Sequence, residues 1–177
     1  MTAFSITVDL GSLDALVAEK REKVEQAARP AAQAGAQVIY DQVKLNVAAI
    51  GSKSGNLAKA IYQAFSEANS APGKATYHIS WNAKKAPHGH LVEFGHIQRY
   101  KVYIGKDGNW YTAIRPNMIG KPKPSRRASQ SVKDAYYVPL PTPRQVAAKP
   151  FIRPAMQKQD QAVAAARKVF FDIVGAT

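Results

Sequence analysis

Cysteine is absent from the 177 residues, which removes disulfides, thiolate nucleophiles and cysteine-based zinc sites by inventory. No apolar run approaches the roughly 18 residues that a membrane span needs. Asp9 and Asp14 interrupt the N-terminal stretch where a signal peptide needs unbroken apolar sequence, so the expectation is a cytosolic origin with no membrane partner. Catalytic signatures are missing too. The serines form no Gly-Xaa-Ser-Xaa-Gly elbow, and there is neither a Walker loop nor a dinucleotide fingerprint. The twelve acids are scattered, five of them in the first 25 residues, so paired carboxylates for acid–base work are scarce. The sequence reads as non-enzymatic, with no catalytic residue and no cofactor.

His88, His90, Glu93 and His96 are the one cluster of metal-ligand letters, and an alternating strand would place His88 and His90 on one face. Their spacing matches no recognised zinc pattern, and Lys84 and Lys85 oppose a cation nearby. The reading is loop histidines and no metal.

What the chain does have is apolar residues, at 46%, which places it with globular proteins. Its length suits one domain. The net charge of +13 is uneven: residues 1–90 hold ten Lys and Arg against seven acids, whereas residues 91–177 hold fifteen against five. Such a balance favours acidic partners, either nucleic acid or an acidic protein surface.

Along the chain, Phe4, Ile6, Val8 and Leu10 alternate with polar residues as a half-buried strand does. Ser12 can cap a helix ending near Arg29, and Pro30 suits the first turn of a second, largely buried helix carrying Ala34, Val38, Val43, Leu45 and Val47. Gly51 closes it, and Ser54 can cap a third helix with Leu57, Ile61 and Phe65 on one side. After Pro72-Gly73 the period changes to two over Tyr77, Ile79 and Trp81, predicting a strand, and Leu91–Phe94 is a second short apolar strand. Tyr100–Ile104 and Trp110–Ile114 flank Gly105-Lys106-Asp107-Gly108 as a β-hairpin. Residues 115–133 carry six Lys and Arg, three prolines and no acid, a composition of an extended arm or mobile loop. Tyr136–Val138 return to the sheet, and a last helix runs from about Pro154 to Val174. Helices first, sheet second and a closing helix make an α+β fold: an N-terminal strand and helices packed on a small antiparallel sheet, a closing C-terminal helix and a long basic insertion.

Three pieces occur in a telling order: Ser54-Gly55-Asn56-Leu57, then His90-Leu91-Val92-Glu93-Phe94-Gly95, then Ala148-Lys149-Pro150-Phe151-Ile152-Arg153-Pro154-Ala155. Together they resemble the neck and tail-completion family of HK-ninety-seven-type siphophages, labelled gp-ten-like. The resemblance covers most of a single domain spanning 1–177 and departs from it at an insertion of about 97–147. It implies a non-enzymatic virion protein of a tailed bacteriophage, made in the host cytoplasm and placed in the neck or tail. It also implies a homo-oligomeric ring, of six copies, that joins the head connector to the tail and touches other neck and tail proteins.

Candidate site residues follow from the chemistry of the same segments. Pro150 and Pro154 pre-set the backbone on both sides of Phe151, holding an aromatic anchor at little entropic cost. Glu93 lies among apolar residues, where a carboxylate needs an arginine or backbone N–H groups. Glu93, Phe94, Phe151 and Arg153 are therefore candidate inter-subunit contacts, beside the plainer alternative that Phe151 and Glu93 serve their own core. Lys121, Lys123, Arg126 and Arg127 are candidate contacts to a partner protein or to passing DNA. With Tyr100, Tyr103, Trp110 and Tyr111 nearby the arm could grip phosphates, as a sequence-independent DNA-binding protein would. An acidic protein face is preferred, because DNA moving through a neck must slide.

Overall fold

The computed structural model describes residues 11–51, 55–108 and 110–175, with the side chains of 11–15 left aside. The strand expected at Phe4–Leu10 and the cap expected from Ser54 lie outside the described residues. Helix α1 spans Gly11–Ile50, followed by α2 (Asn56–Ala60), β1 (Ile61–Phe65), β2 (Tyr77–Trp81), α3 (Gly89–Phe94), β3 (His96–Tyr100), β4 (Val102–Ile104), β5 (Trp110–Thr112), α4 (Gln130–Tyr136), β6 (Pro139–Val146) and α5 (Gln159–Val174). The fold is α+β, as the order of the sequence patterns implies. Among the described residues the sheet is not one but three two-stranded pieces, β1–β2, β3–β6 and β4–β5.

The two helices expected on either side of Pro30 are one continuous helix of 40 residues. Pro30 is exposed, and Ala27, Ala31, Gly35, Val43 and Val47 are buried at multiples of four residues. A proline on the outer face removes one N–H and frees the carbonyl of Gln26, which water can satisfy there, so the helix runs through. Leu45, expected inside, is 63% exposed; it falls off the buried row.

The third helix is also shorter than its pattern suggests. It stops at Ala60, and Ile61–Phe65 form strand β1 instead. The i, i+4 spacing of Leu57, Ile61 and Phe65 coincides with an even number of residues, and Ile61 and Phe65 therefore also fit one face of a strand. Leu91–Phe94 err in the opposite direction, being the end of helix α3 rather than a strand. Four apolar or polar letters are too few to separate the two periods.

The chain forms two compact units. Unit 1 comprises Met1–Asn46, Ile61–Ser80 and Ile152–Thr177. Its helices α1 and α5 approach closely: a Cβ placed on Gly35 would lie 3.0 Å from the Ala162 carbonyl oxygen and 3.3 Å from the Ala166 Cβ. Arg29 stacks over the Phe65 ring at 4.3 Å, and Phe65 meets Tyr77 edge-on at 5.5 Å. Unit 2 comprises Val47–Ala60 and Trp81–Phe151. Its sheet pairs β3 with β6 in antiparallel register, His96 opposite Val146 and Gln98 opposite Arg144, with an irregularity before Tyr100.

Candidate docking surface

The anchor of unit 2 joins two of the segments singled out in the sequence. The Phe151 backbone N–H donates to the Glu93 carboxylate at 2.7 Å in a buried setting, and the Lys149 N–H donates to the Val92 carbonyl at 2.8 Å. Gly95, at φ +73°, leaves so little room that a Cβ would sit 2.7 Å from the Val146 oxygen and 2.8 Å from the Ala148 nitrogen. Only glycine serves both requirements. The Phe151 ring packs edge-on against Trp81 at 5.7 Å, and Trp81 in turn rests on Gly89, where a Cβ would be 2.4 Å from the indole nitrogen. A carboxylate that accepts a buried N–H offsets part of its own desolvation cost and fixes the strand leading to Phe151.

Of the four residues considered as contacts between subunits, Glu93 is 2% exposed and Phe151 is fully buried. Both are engaged inside the chain, the plainer of the two alternatives. Phe94, at 63% exposure, and Arg153 are at the surface.

The histidines of the would-be metal cluster divide. His88 and His90 are exposed, Glu93 is committed to Phe151, and His96 begins β3. Among the described residues no group of three or more His, Asp or Glu side chains could hold a metal ion.

The hairpin expected from the sequence is present: Val102 faces Thr112, Tyr103 faces Tyr111 and Ile104 faces Trp110. Its base is fastened by a closed cycle of backbone bonds in which Lys101 N–H donates to Val138, Val138 N–H to Ala113 and Ala113 N–H to Lys101, at 2.8–2.9 Å. Ile114 bridges Tyr137 beside it, and Arg115 N–H donates to Tyr136. Hairpin and basic segment thus leave the same junction.

The basic segment itself is folded back into a loop, which corrects the first of the two expected forms, the extended arm. Both ends meet at the junction, and α4 closes the loop. Ser129 caps α4 by accepting from the Val132 N–H, a signal visible in Ser129-Gln130-Ser131-Val132 but outweighed by the prolines and cations before it. The Tyr100 hydroxyl donates to Asp134 at 2.7 Å, and the Gln130 amide donates to both groups at 2.8 Å. Tyr136 hydroxyl donates to the Lys121 carbonyl at 3.0 Å. The hydrogen bonds from Tyr100 and Gln130 hold the Asp134 carboxyl below its ordinary range. Burial, then the bond to Asp134, pushes the Tyr100 hydroxyl up.

Two of the segment's six cations turn inward onto carbonyls. Arg115 Nε donates to Asp134 and Tyr137, and Lys133 Nζ donates to Arg126. The other four, Lys121, Lys123, Arg126 and Arg127, are exposed. These are the four that the sequence singled out as partner or DNA contacts, displayed here on a closed loop.

Fold and surface together define a small α+β protein that displays cations and apolar side chains on elements fixed by backbone bonds. Residues 12–95 match the family described as "Bacteriophage HK97-gp10, putative tail-component". That is the family the sequence resembled, and its description is of a bacteriophage tail component. The matched stretch ends at Gly95, where β3 and the hairpin region begin. Comparison with curated proteins gives no significant match, and comparison with solved structures gives none either. No helix among the described residues is long and apolar enough to cross a membrane.

Proposed function

We propose that this protein is a structural, non-enzymatic subunit of a tailed bacteriophage virion. It forms a closed ring at the neck or the head-proximal end of the tail and joins the head connector to the tail. The observation that carries the reading is the family match over residues 12–95. Exposed Phe94 and Arg153 are the residues through which neighbouring copies would touch, and a ring requires such head-to-tail contacts to close on themselves. Residues 97–147 are an insertion into the family body that supplies this chain's own docking elements. Light scattering on the purified protein, followed by negative-stain electron microscopy, tests the ring: closed rings are expected, of six copies if the family resemblance holds. A strictly monomeric protein that turns over a substrate, with the turnover lost on one side-chain change and folding intact, would sink it.

A second reading is sequence-independent DNA binding, favoured by the exposure of Lys121, Lys123, Arg126 and Arg127. A salt series on duplex DNA separates the two, because a phosphate-dominated complex weakens steeply with added salt.

A further inference from the structure

Charge divides between the two units far more sharply than between the two halves of the sequence. Unit 1 holds ten Lys and Arg against nine acids, and unit 2 holds fifteen against three. The net +12 of unit 2 already counts its three acids, and each of them accepts a hydrogen bond within the unit. Glu93 takes the Phe151 N–H, Asp134 takes Tyr100 and Asp107 takes the Tyr111 hydroxyl. Fifteen cations thus stand against three internally bonded carboxylates.

On this cationic unit lies an apolar hairpin with both faces in solvent. Val102, Tyr103, Ile104, Trp110 and Tyr111 are 41–55% exposed, and Ile119 on the adjoining loop is 71% exposed. Contiguous exposed apolar side chains of this kind gain from being covered. We propose that the β4–β5 hairpin and the basic loop together dock onto an acidic, apolar-centred surface of a different virion protein. The inference rests on the virion reading above and names the partner of this face.

Two alternatives are disfavoured by chemistry on the molecule. Duplex DNA offers phosphates to the cations but nothing to desolvate Val102, Ile104 and Ile119, which a protein face would. A second copy of this chain offers no acidic counterpart, because unit 1 is nearly neutral and unit 2 repels its like. The shared backbone junction means that little ordering is left to do on binding, which favours affinity.

Purified particles from the phage that carries this gene, treated with a water-soluble carbodiimide, provide the test. The reagent joins an amine to a carboxylate only where the two touch. Lys106, Lys121 or Lys123 should be joined to Asp or Glu of another virion protein. The yield at these lysines should fall about fivefold in particles carrying Arg126→Glu with Arg127→Glu, which leaves every lysine in place, and similarly with Trp110→Ser, as rim charges and a central aromatic anchor require. Arg126 and Arg127 are exposed and lie outside the hairpin strands, and an unchanged circular dichroism spectrum of the purified variant separates lost docking from a folding defect. Joining only to copies of this chain, or no joining in particles that contain it, overturns the inference. So does an unchanged yield in the charge-reversed particles, or joining that disappears only when packaged DNA is released. Particles that lack the chain altogether would instead overturn the virion reading on which the inference rests.

Discussion

The two units solve opposite problems with the same chain. Unit 1 is nearly neutral and is organised by helices, α1 approaching α5 so closely that Gly35 has no room for a side chain. Unit 2 carries the excess positive charge and is organised by hydrogen bonds: a buried carboxylate at Phe151, a closed backbone cycle at Lys101, Ala113 and Val138, and a tyrosine–aspartate clasp. The contrast teaches why the basic segment is ordered without a large core. Its cations cannot be buried, so it is held by its ends and by hydrogen bonds, and its display face is left to solvent.

The sharpest way to break the comparison is Phe151→Ala, which empties the anchor against Trp81 and should cost about 3–5 kcal/mol. Hydrogen exchange followed by mass spectrometry should show protection lost across β3 and β6 with α5 less affected. Equal loss in both units would mean that they do not unfold separately. Glu93→Ala leaves the Phe151 N–H buried without this acceptor, at about 1–3 kcal/mol in urea denaturation; a variant as stable as the parent would contradict the role given to Glu93. In unit 1, Gly35→Leu forces α1 from α5 and should cost about 1–3 kcal/mol, with exchange rising in α5 first. Rising exchange in β3 and β6 instead would assign Gly35 to the wrong contact.

Smaller effects sharpen the picture of the loop. Asp134→Asn should speed tryptic cleavage after Arg126 and Arg127 and lower the unfolding midpoint slightly; unchanged cleavage would show that the clasp does not hold the loop. The pH dependence has a definite sign. A carboxyl held below its ordinary value in the fold contributes stability above that ordinary value, and the contribution is lost as pH falls through the lowered one. Carbon-13 titration of Asp134 should therefore give an apparent pKa below the ordinary value of about 3.9. A value at or above it would dissolve the clasp as an explanation.

Much of this was legible in the residues, and the failures have physical reasons. The hairpin announced itself through alternation around Gly105–Gly108, and the closing helix through the helical pattern from about Pro154 to Val174, although a 3-10 turn at Arg153–Lys158 comes before it. The four cations were found because no acid lies near them in sequence. Pro30 misled, since proline has the same φ at a helix start as on the outer face of a helix interior. The segments around Ile61 and Leu91 were too short for period to decide. Long-range pairs were invisible: nothing local ties Glu93 to Phe151 or Tyr100 to Asp134, and both pairs were set by the chain's return to the same sheet. The loop's order was missed for the same reason, its composition being that of an unfolded arm while its closure depends on residues outside it.

Gold-labelled antibody against the purified protein, applied to intact particles and viewed by electron microscopy, tests the central claim most directly. The account predicts label concentrated where the tail meets the head. Particles that stay unlabelled, while the protein is abundant in the cells that produced them, would contradict it.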